Sequence, residues 1–255
     1  MKNLFSVEGK RVLVTGGSRG IGYMIAQGFL ENGAHVYVVS RKKDEIEAAA
    51  ASLSAKGPCV AFAADLSTGA AARDLAAKIA EREGKLDVLV NNAGANWGAP
   101  YAEYPESAWD KVLALNVKGV FELTQACTPL LEKAATHEDP ARVVNIGSID
   151  GLRVPLLETY AYSASKAALH HMTRVLAMKL APQRITVNAV APGPFESKMM
   201  KATLDQFRDA IVASVPLGRI GTPEDMAGIA LFLASRAGAY VTGTVIPVDG
   251  GASTR

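Results

Sequence analysis

Short, β-branched apolar runs alternate with longer helical segments along almost the whole of this chain, and no other feature restricts its fold as much. The runs are Arg11–Thr15, His35–Ser40, Cys59–Ala63, Leu86–Val90, Arg142–Ile146, Ile185–Val190 and Thr244–Val248. Several are too apolar for a strand with one wet face, so they read as strands of a parallel sheet covered on both sides. Helical spacing fills the intervals Ile21–Asn32, Lys43–Ala55, Ala70–Arg82, Ser107–Ala134, Thr159–Leu180 and Pro223–Ser235. Gly33 and Gly84 are C-terminal stops, and Thr222-Pro223-Glu224-Asp225 opens the last helix with an N-cap, a proline and two acids. Pro129 is expected to kink or divide the long Ser107–Ala134 segment. The expected architecture is α/β: a single doubly wound parallel sheet of seven strands, flanked by helices on both faces, in one domain over residues 1–255. The rhythm breaks only between the last two strands. Residues 194–216 there, with an amphipathic helix around Lys201–Ala213, are expected to form a lid over the carboxyl edge of the sheet.

Composition removes several function classes. The 27 Lys+Arg against 25 Asp+Glu leave a net charge of +2, too little for a nucleic-acid binder that works by bulk charge. The 49% of hydrophobic residues excludes a disordered chain. No run of 18 apolar residues and no apolar leader occurs, so a cytoplasmic protein without a membrane span is expected. Cys59, Cys127 and the four histidines form no ligand spacing, so no metal is expected and the cysteines read as buried free thiols.

The first run leads through Thr15-Gly16-Gly17-Ser18-Arg19-Gly20-Ile21-Gly22 into a helix. A turn between a strand end and a helix N-terminus presents free N–H groups and the positive end of the helix dipole to an anion. Glycine allows a pyrophosphate to approach closely. Tyr23 after Gly22 excludes a Walker A loop, which needs lysine there. Gly16-Gly17-Ser18-Arg19-Gly20 also fits a nucleophile elbow, which would make Ser18 an esterase nucleophile with His170 or His171 as the base. After the second run stands Ser40-Arg41-Lys42-Lys43, where an NAD site usually places an acid. Arg41, with Arg19 from the glycine turn, suits a 2′-phosphate and therefore NADP(H).

Tyr162 and Lys166 stand four apart at the start of a helical segment and so share a face. A nearby ammonium is expected to lower the phenol pKa and tune it as a proton donor and acceptor. Upstream, Ser148 follows the fifth run at the carboxyl edge, where its hydroxyl can orient a substrate oxygen.

These elements, in this order, resemble the short-chain dehydrogenase/reductase family over essentially the whole chain. The resemblance implies a Rossmann fold and an oxidoreductase. Gly16, Ser18, Arg19, Gly20, Ile21 and Gly22 resemble its cofactor turn, with Ser40 and Arg41 beyond the second strand. Asp65 and Leu66 match its adenine contact, and Asn92, Ala93 and Gly94 its motif after the fourth strand. Asn116, Ser148, Tyr162 and Lys166 match its catalytic tetrad, and Pro192-Gly193 its turn beside the nicotinamide. Ser197 stands where the family often has threonine. The implied chemistry is hydride delivery to a carbonyl carbon with Tyr162 protonating the oxygen, Ser148 hydrogen-bonding it, and Lys166 holding the ribose and lowering the tyrosine pKa.

Within the family the chain looks most like NADPH-dependent 3-oxoacyl reductases, nearest the rhamnolipid-pathway type. The expected substrate is a ketone or acyl thioester. The expected partners are an acyl carrier protein and further copies of the chain, as a homotetramer or homodimer through the two long central helices. Asn96, Trp97, Ile149, Asp150, Leu156, Phe195, Met199 and Met200 are expected on the substrate side, and Lys198, Lys201 and Arg208 are candidate cations for an acidic carrier. The alternatives are a sugar, steroid or xenobiotic reductase of the same family, and a catalytically silent NADP-binding regulator.

Overall fold

The computed structural model describes residues 3–197 and 200–254. Its strands are β1 (Arg11–Thr15), β2 (His35–Ser40), β3 (Cys59–Ala63), β4 (Val88–Asn91), β5 (Ala141–Ile146), β6 (Ile185–Pro192) and β7 (Val245–Val248). All seven pair in parallel, in the order β3-β2-β1-β4-β5-β6-β7. β1 pairs with β2 on one side and β4 on the other, with Val14 opposite Val38 and Val90. The winding therefore reverses between β1 and β4. A crevice at the carboxyl ends of two such strands is where doubly wound sheets place their ligands.

Parallel strands need crossovers, and the helices supply them on both faces. α1 (Gly20–Glu31), α2 (Lys43–Leu53) and α8 (Pro223–Ala234) cover one face, where Ile25, Phe29, Ile46, Met226 and Leu233 bury against Val12, Val14 and Val38. α3 (Gly69–Glu83), α5 (Val120–Ala134) and α6 (Tyr160–Leu180) cover the other, where Leu75, Ile79, Leu123 and Leu176 meet Leu13 and Val143. Successive residues of β1 thus feed opposite cores, which is why the strand runs are continuously apolar. The remaining helices are α4 (Glu106–Leu113) and α7 (Lys201–Ser214).

The long central segment differs from its sequence expectation. α5 continues through Pro129, and the irregularity lies instead at Ala114–Gly119, a π-helical turn between α4 and α5 that contains Asn116. Gly119 has room there only for hydrogen, since an added Cβ would stand 2.3 Å from the Leu66 carbonyl oxygen. π-turns inside helices concentrate at functional sites.

Arg142 on β5 is 1% exposed, so its charge is neutralised from within. Nε donates to the Leu233 carbonyl at 3.0 Å, and Nη2 to the Ser235 carbonyl at 2.9 Å and to Asp139 at 3.0 Å. The guanidinium therefore caps the last turn of α8 from the sheet. Arg142→Met keeps the aliphatic stem and orphans those acceptors, so thermal or urea unfolding should show a loss of about 3 kcal/mol.

Candidate active site

The glycine turn closes the crevice on the β1 side. Gly16 (φ +67°) and Gly20 (φ +55°) adopt left-handed backbone that other residues rarely tolerate. Gly22 is required for a different reason: an added Cβ would stand 2.4 Å from both Asn92 Nδ2 and the Gly16 carbonyl oxygen. Asn92 donates from Nδ2 to the Thr15 carbonyl at 2.9 Å and the Gly16 carbonyl at 3.2 Å. Thr15 Oγ1 accepts from the Asn92 and Ala93 N–H groups, each at 2.8 Å. The turn after β1 and the strand end of β4 are therefore one hydrogen-bonded unit. α1 starts at Gly20 with no side-chain N-cap, which leaves its first N–H groups free for a ligand.

Around this unit the other sequence-selected positions fall along the carboxyl edge. Ser18 and Ile21 belong to the turn, and Gly193 donates its N–H to the Val248 carbonyl just beyond Pro192. A Cβ on Gly20 would stand 3.1 Å from Ser197 Cβ, so the segment after β6 reaches back over the glycine turn. Ser40 ends β2 and exposed Arg41 follows it, and exposed Asp65 and buried Leu66 follow β3. Arg19 is ion-paired with Glu45 at 2.5 Å, and Lys42 with the same carboxylate at 2.8 Å. Among the described residues Arg41 has no ion-pair partner.

The reacting groups converge from three elements. Asn116, 1% exposed, accepts from the Ala95 N–H at 2.8 Å and donates from Nδ2 to the Ala95 carbonyl at 2.9 Å and to Ser165 Oγ at 3.0 Å. Ser165 in turn donates to the Tyr162 carbonyl at 2.7 Å. Ser148 stands just beyond β5, and its Oγ accepts from the Asp150 N–H at 3.1 Å, which leaves its own proton free to donate. Lys166 Nζ donates to the Ile146 carbonyl at 2.7 Å and lies 5.5 Å from the centre of the Tyr162 ring. Gly94 faces this group, where a Cβ would stand 3.3 Å from Asn116 Oδ1 and 3.8 Å from Lys166 Nζ.

The electrostatics run opposite to the sequence expectation for the tyrosine. Burial pushes the Tyr162 phenol up to about 12, the Asp150 charge adds to that, and the Ser148 hydroxyl only partly opposes it. Burial also lowers Lys166 to about 8, against the pull of Asp150. The ammonium lies 5.5 Å from the ring centre and donates to a backbone carbonyl. Tyr162 is consequently a protonated phenol at neutral pH, the form that can give a proton to a developing alkoxide.

Ser18 has no hydrogen bond to His170 or His171 among the described residues, and His170 packs instead against Gly147 and Gly151, so no esterase triad assembles. Phe195 and Ile149 are buried, whereas Leu156 is fully exposed and Trp97 partly exposed. Lys201 pairs with Asp205 at 2.8 Å and Arg208 with Glu196, so neither is a free cation; Lys198 and Met199 lie outside the described residues. Cys127 is buried and Cys59 only partly so; both are free, and burial raises both thiols. A cavity of about 610 Å³ opens between β7, α8 and the segment after β6, lined by Phe195, Leu217, Arg219 and Ile229 among others, and none of the four reacting residues lines it. Among the described residues, no group of three His, Cys, Asp or Glu is placed to hold a metal, and no helix is long and apolar enough to cross a membrane.

Ser165, which links Asn116 to the Tyr162 carbonyl, is not part of the motif. Its signal was its spacing, since a serine three residues after Tyr162 on a helix can bond back to that carbonyl.

The chain belongs to the short-chain dehydrogenase/reductase family of oxidoreductases: the family model described as enoyl-(acyl carrier protein) reductase matches residues 16–253. Among its relatives, the rhamnolipids biosynthesis 3-oxoacyl-acyl-carrier-protein reductase of Pseudomonas aeruginosa is 51% identical over 98% of this chain and 99% of its own length. The 5-keto-D-gluconate 5-reductase of Escherichia coli is 35% identical over 98% of each. The solved Pseudomonas aeruginosa RhlG/NADP active-site complex superposes with a TM-score of 0.96 at 50% identity, covering 99% of this chain and 100% of that one.

Proposed function

We propose that this chain is an NADPH-dependent carbonyl reductase acting on a 3-oxoacyl thioester, in one domain with residues 194–216 as its lid. The observation that carries the reaction type is the meeting of Ser148, a protonated Tyr162, Lys166 and Asn116 beside an uncapped glycine turn at the switch point of the sheet. That turn fits a dinucleotide: its anion-facing N–H groups are free, and Gly94 keeps open the space in front of Asn116 and Lys166. The likeness to a 3-oxoacyl reductase at 51% identity supports the thioester, and the RhlG complex supports NADP.

When bound, the nicotinamide supplies the hydride that reduces the carbonyl carbon. Tyr162 gives its proton to the carbonyl oxygen as that oxygen gains charge, and Ser148 Oγ donates a hydrogen bond to the same atom. Lys166 would hold the nicotinamide ribose with the N–H groups not spent on Ile146. Asn116, fixed by Ala95 and Ser165, keeps the π-turn in register with α6. Gly16, Ser18, Gly20, Ile21 and Gly22 would hold the pyrophosphate, Asp65 and Leu66 the adenine, and Asn92, Ala93, Pro192, Gly193 and Ser197 the nicotinamide end.

The test measures oxidation of NADPH and NADH with 3-oxoacyl thioesters in coenzyme A and carrier-linked forms, and with 5-keto-D-gluconate. Turnover should be fastest with NADPH and a thioester. Turnover confined to the sugar acid, or none at all with tight NADPH binding, overturns the reading. Ser40 and Arg41 would face the 2′-phosphate. Arg41→Asp should lower kcat/KM for NADPH about 10- to 100-fold, the worth of one charge-assisted contact, and leave NADH use unchanged. Equal losses with both cofactors would remove Arg41 from that role.

The same reading includes assembly as a homotetramer or homodimer. Trp109 and Leu113 on α4, Phe121 on α5, and Val175 and Met178 on α6 leave apolar surface exposed on the central helices, which supports burial there against a second copy.

A further inference from the structure

We propose that His170 is a positioning residue for Ser148: its flat neutral ring braces the Gly147–Gly151 turn from beneath and sets where the serine hydroxyl stands relative to Tyr162. The inference rests on the reading of Ser148 as the group that hydrogen-bonds the substrate oxygen.

α6 carries Tyr162, Lys166 and His170 at successive intervals of four, so the three side chains lie along one helix face. His170 is 3% exposed, and neither ring nitrogen has a hydrogen-bond partner among the described residues. A buried polar ring left without partners is costly, and an apolar side chain would fill the space without that cost. Its place one helical turn from Lys166 points to a role beyond filling.

The ring's neighbours supply one. A Cβ on Gly147 would stand 2.1 Å from His170 Nε2, and a Cβ on Gly151 would stand 2.9 Å from His170 Cε1. The imidazole therefore spans the two glycines that bracket Ser148, Ile149 and Asp150. The flat ring lies against both glycines at once. The turn is tied from its other side by the Gly147 N–H to the Val190 carbonyl, the Gly151 N–H to the Ser148 carbonyl and the Asp150 N–H to Ser148 Oγ. The ring and these bonds together hold the turn that carries Ser148.

The ring's charge state agrees with this role. Burial, with Lys166 and Arg174 on its own helix, holds His170 down to about 4, and the Gly151 backbone opposes this. Of the groups on the facing turn, Asp150 is raised by burial, and Arg153 lies near its carboxylate. A neutral His170 adds no charge beside Tyr162 and Lys166.

The experiment is a double-mutant cycle on the full chain with NADPH and an active ketone, reading kcat, KM and the NADPH dissociation constant. His170→Ala should lower kcat about tenfold and leave KM and NADPH affinity within about twofold. In a Ser148→Ala background, His170→Ala should change kcat by less than about twofold, because the group it positions is gone. His170→Leu keeps the buried volume but not the flat ring; it should follow the same pattern and carries the cycle if the alanine variant does not fold. Equal loss in both backgrounds, or wild-type kcat in the single variant, overturns the inference while leaving the functional reading intact. Full activity in Ser148→Ala alone overturns the reading of Ser148, and the inference with it.

Discussion

Tyr162→Phe is expected to lower kcat for ketone reduction by about 10²- to 10⁴-fold, the usual worth of a positioned proton donor. The substitution removes one oxygen and one proton from a phenol that burial has pushed up to about 12. The ring, which lies 5.5 Å from the Lys166 ammonium, stays where it is. Lys166 keeps its bond to the Ile146 carbonyl, and Asn116 keeps Ser165, because neither contact uses the phenol oxygen. NADPH affinity should therefore change by less than about threefold, and thermal stability should hold or rise, since a desolvated hydroxyl is lost. Steady-state rates, fluorescence titration of NADPH and a melting curve check the three parts. Retained turnover would mean that another group supplies the proton.

Gly22→Ala has the second largest expected effect, and it acts on binding rather than on chemistry. The new methyl would stand 2.4 Å from Asn92 Nδ2 and from the Gly16 carbonyl oxygen, so one of them must move. Asn92 then loses its bonds to the Thr15 and Gly16 carbonyls, and the glycine turn separates from the end of β4. Overpacking and two lost hydrogen bonds together cost about 3 kcal/mol. NADPH affinity should fall by at least about tenfold. Gly28→Ala is the control, because its methyl would stand 2.4 Å from Ala227 Cβ, in the packing of α1 on α8. Both variants should melt earlier, but only Gly22→Ala should weaken NADPH binding. Equal weakening in both would show that the effect is general loosening of α1.

The strands and helices were legible because each is a local pattern. β1, β2 and β3 fall on the residues that their β-branched runs marked, and the Thr222 N-cap is present as a capping box with Asp225. Pro129 misled because its lost hydrogen bond is tolerated within α5. Asn116 marks the real irregularity, and that π-turn depends on contacts from Leu66 and Ala95 that are distant in sequence.

Within the site, residue types and their spacing identified Ser148, Tyr162 and Lys166, but the direction of the tyrosine's acidity was not legible. Spacing brought an ammonium near a phenol; burial then raised the phenol, and the Ile146 carbonyl took the ammonium. Ile149 and Leu156 show the same limit: both are expected on the substrate side, and one is buried while the other is fully exposed. Arg41, with Arg19 as a second cation, is the candidate for the 2′-phosphate in the sequence, and the structure separates the two by giving Glu45 to Arg19.

The sequence by itself determined the order of elements, the doubly wound sheet and the residues that could carry a reduction, because periodicity, turn chemistry and spacing act over a few residues. Only the tertiary structure decided which side chains are desolvated, which polar atoms are already spent and that His170 lies beneath the Ser148 turn. Those properties belong to the dielectric and the neighbours that a residue acquires when distant segments close around it.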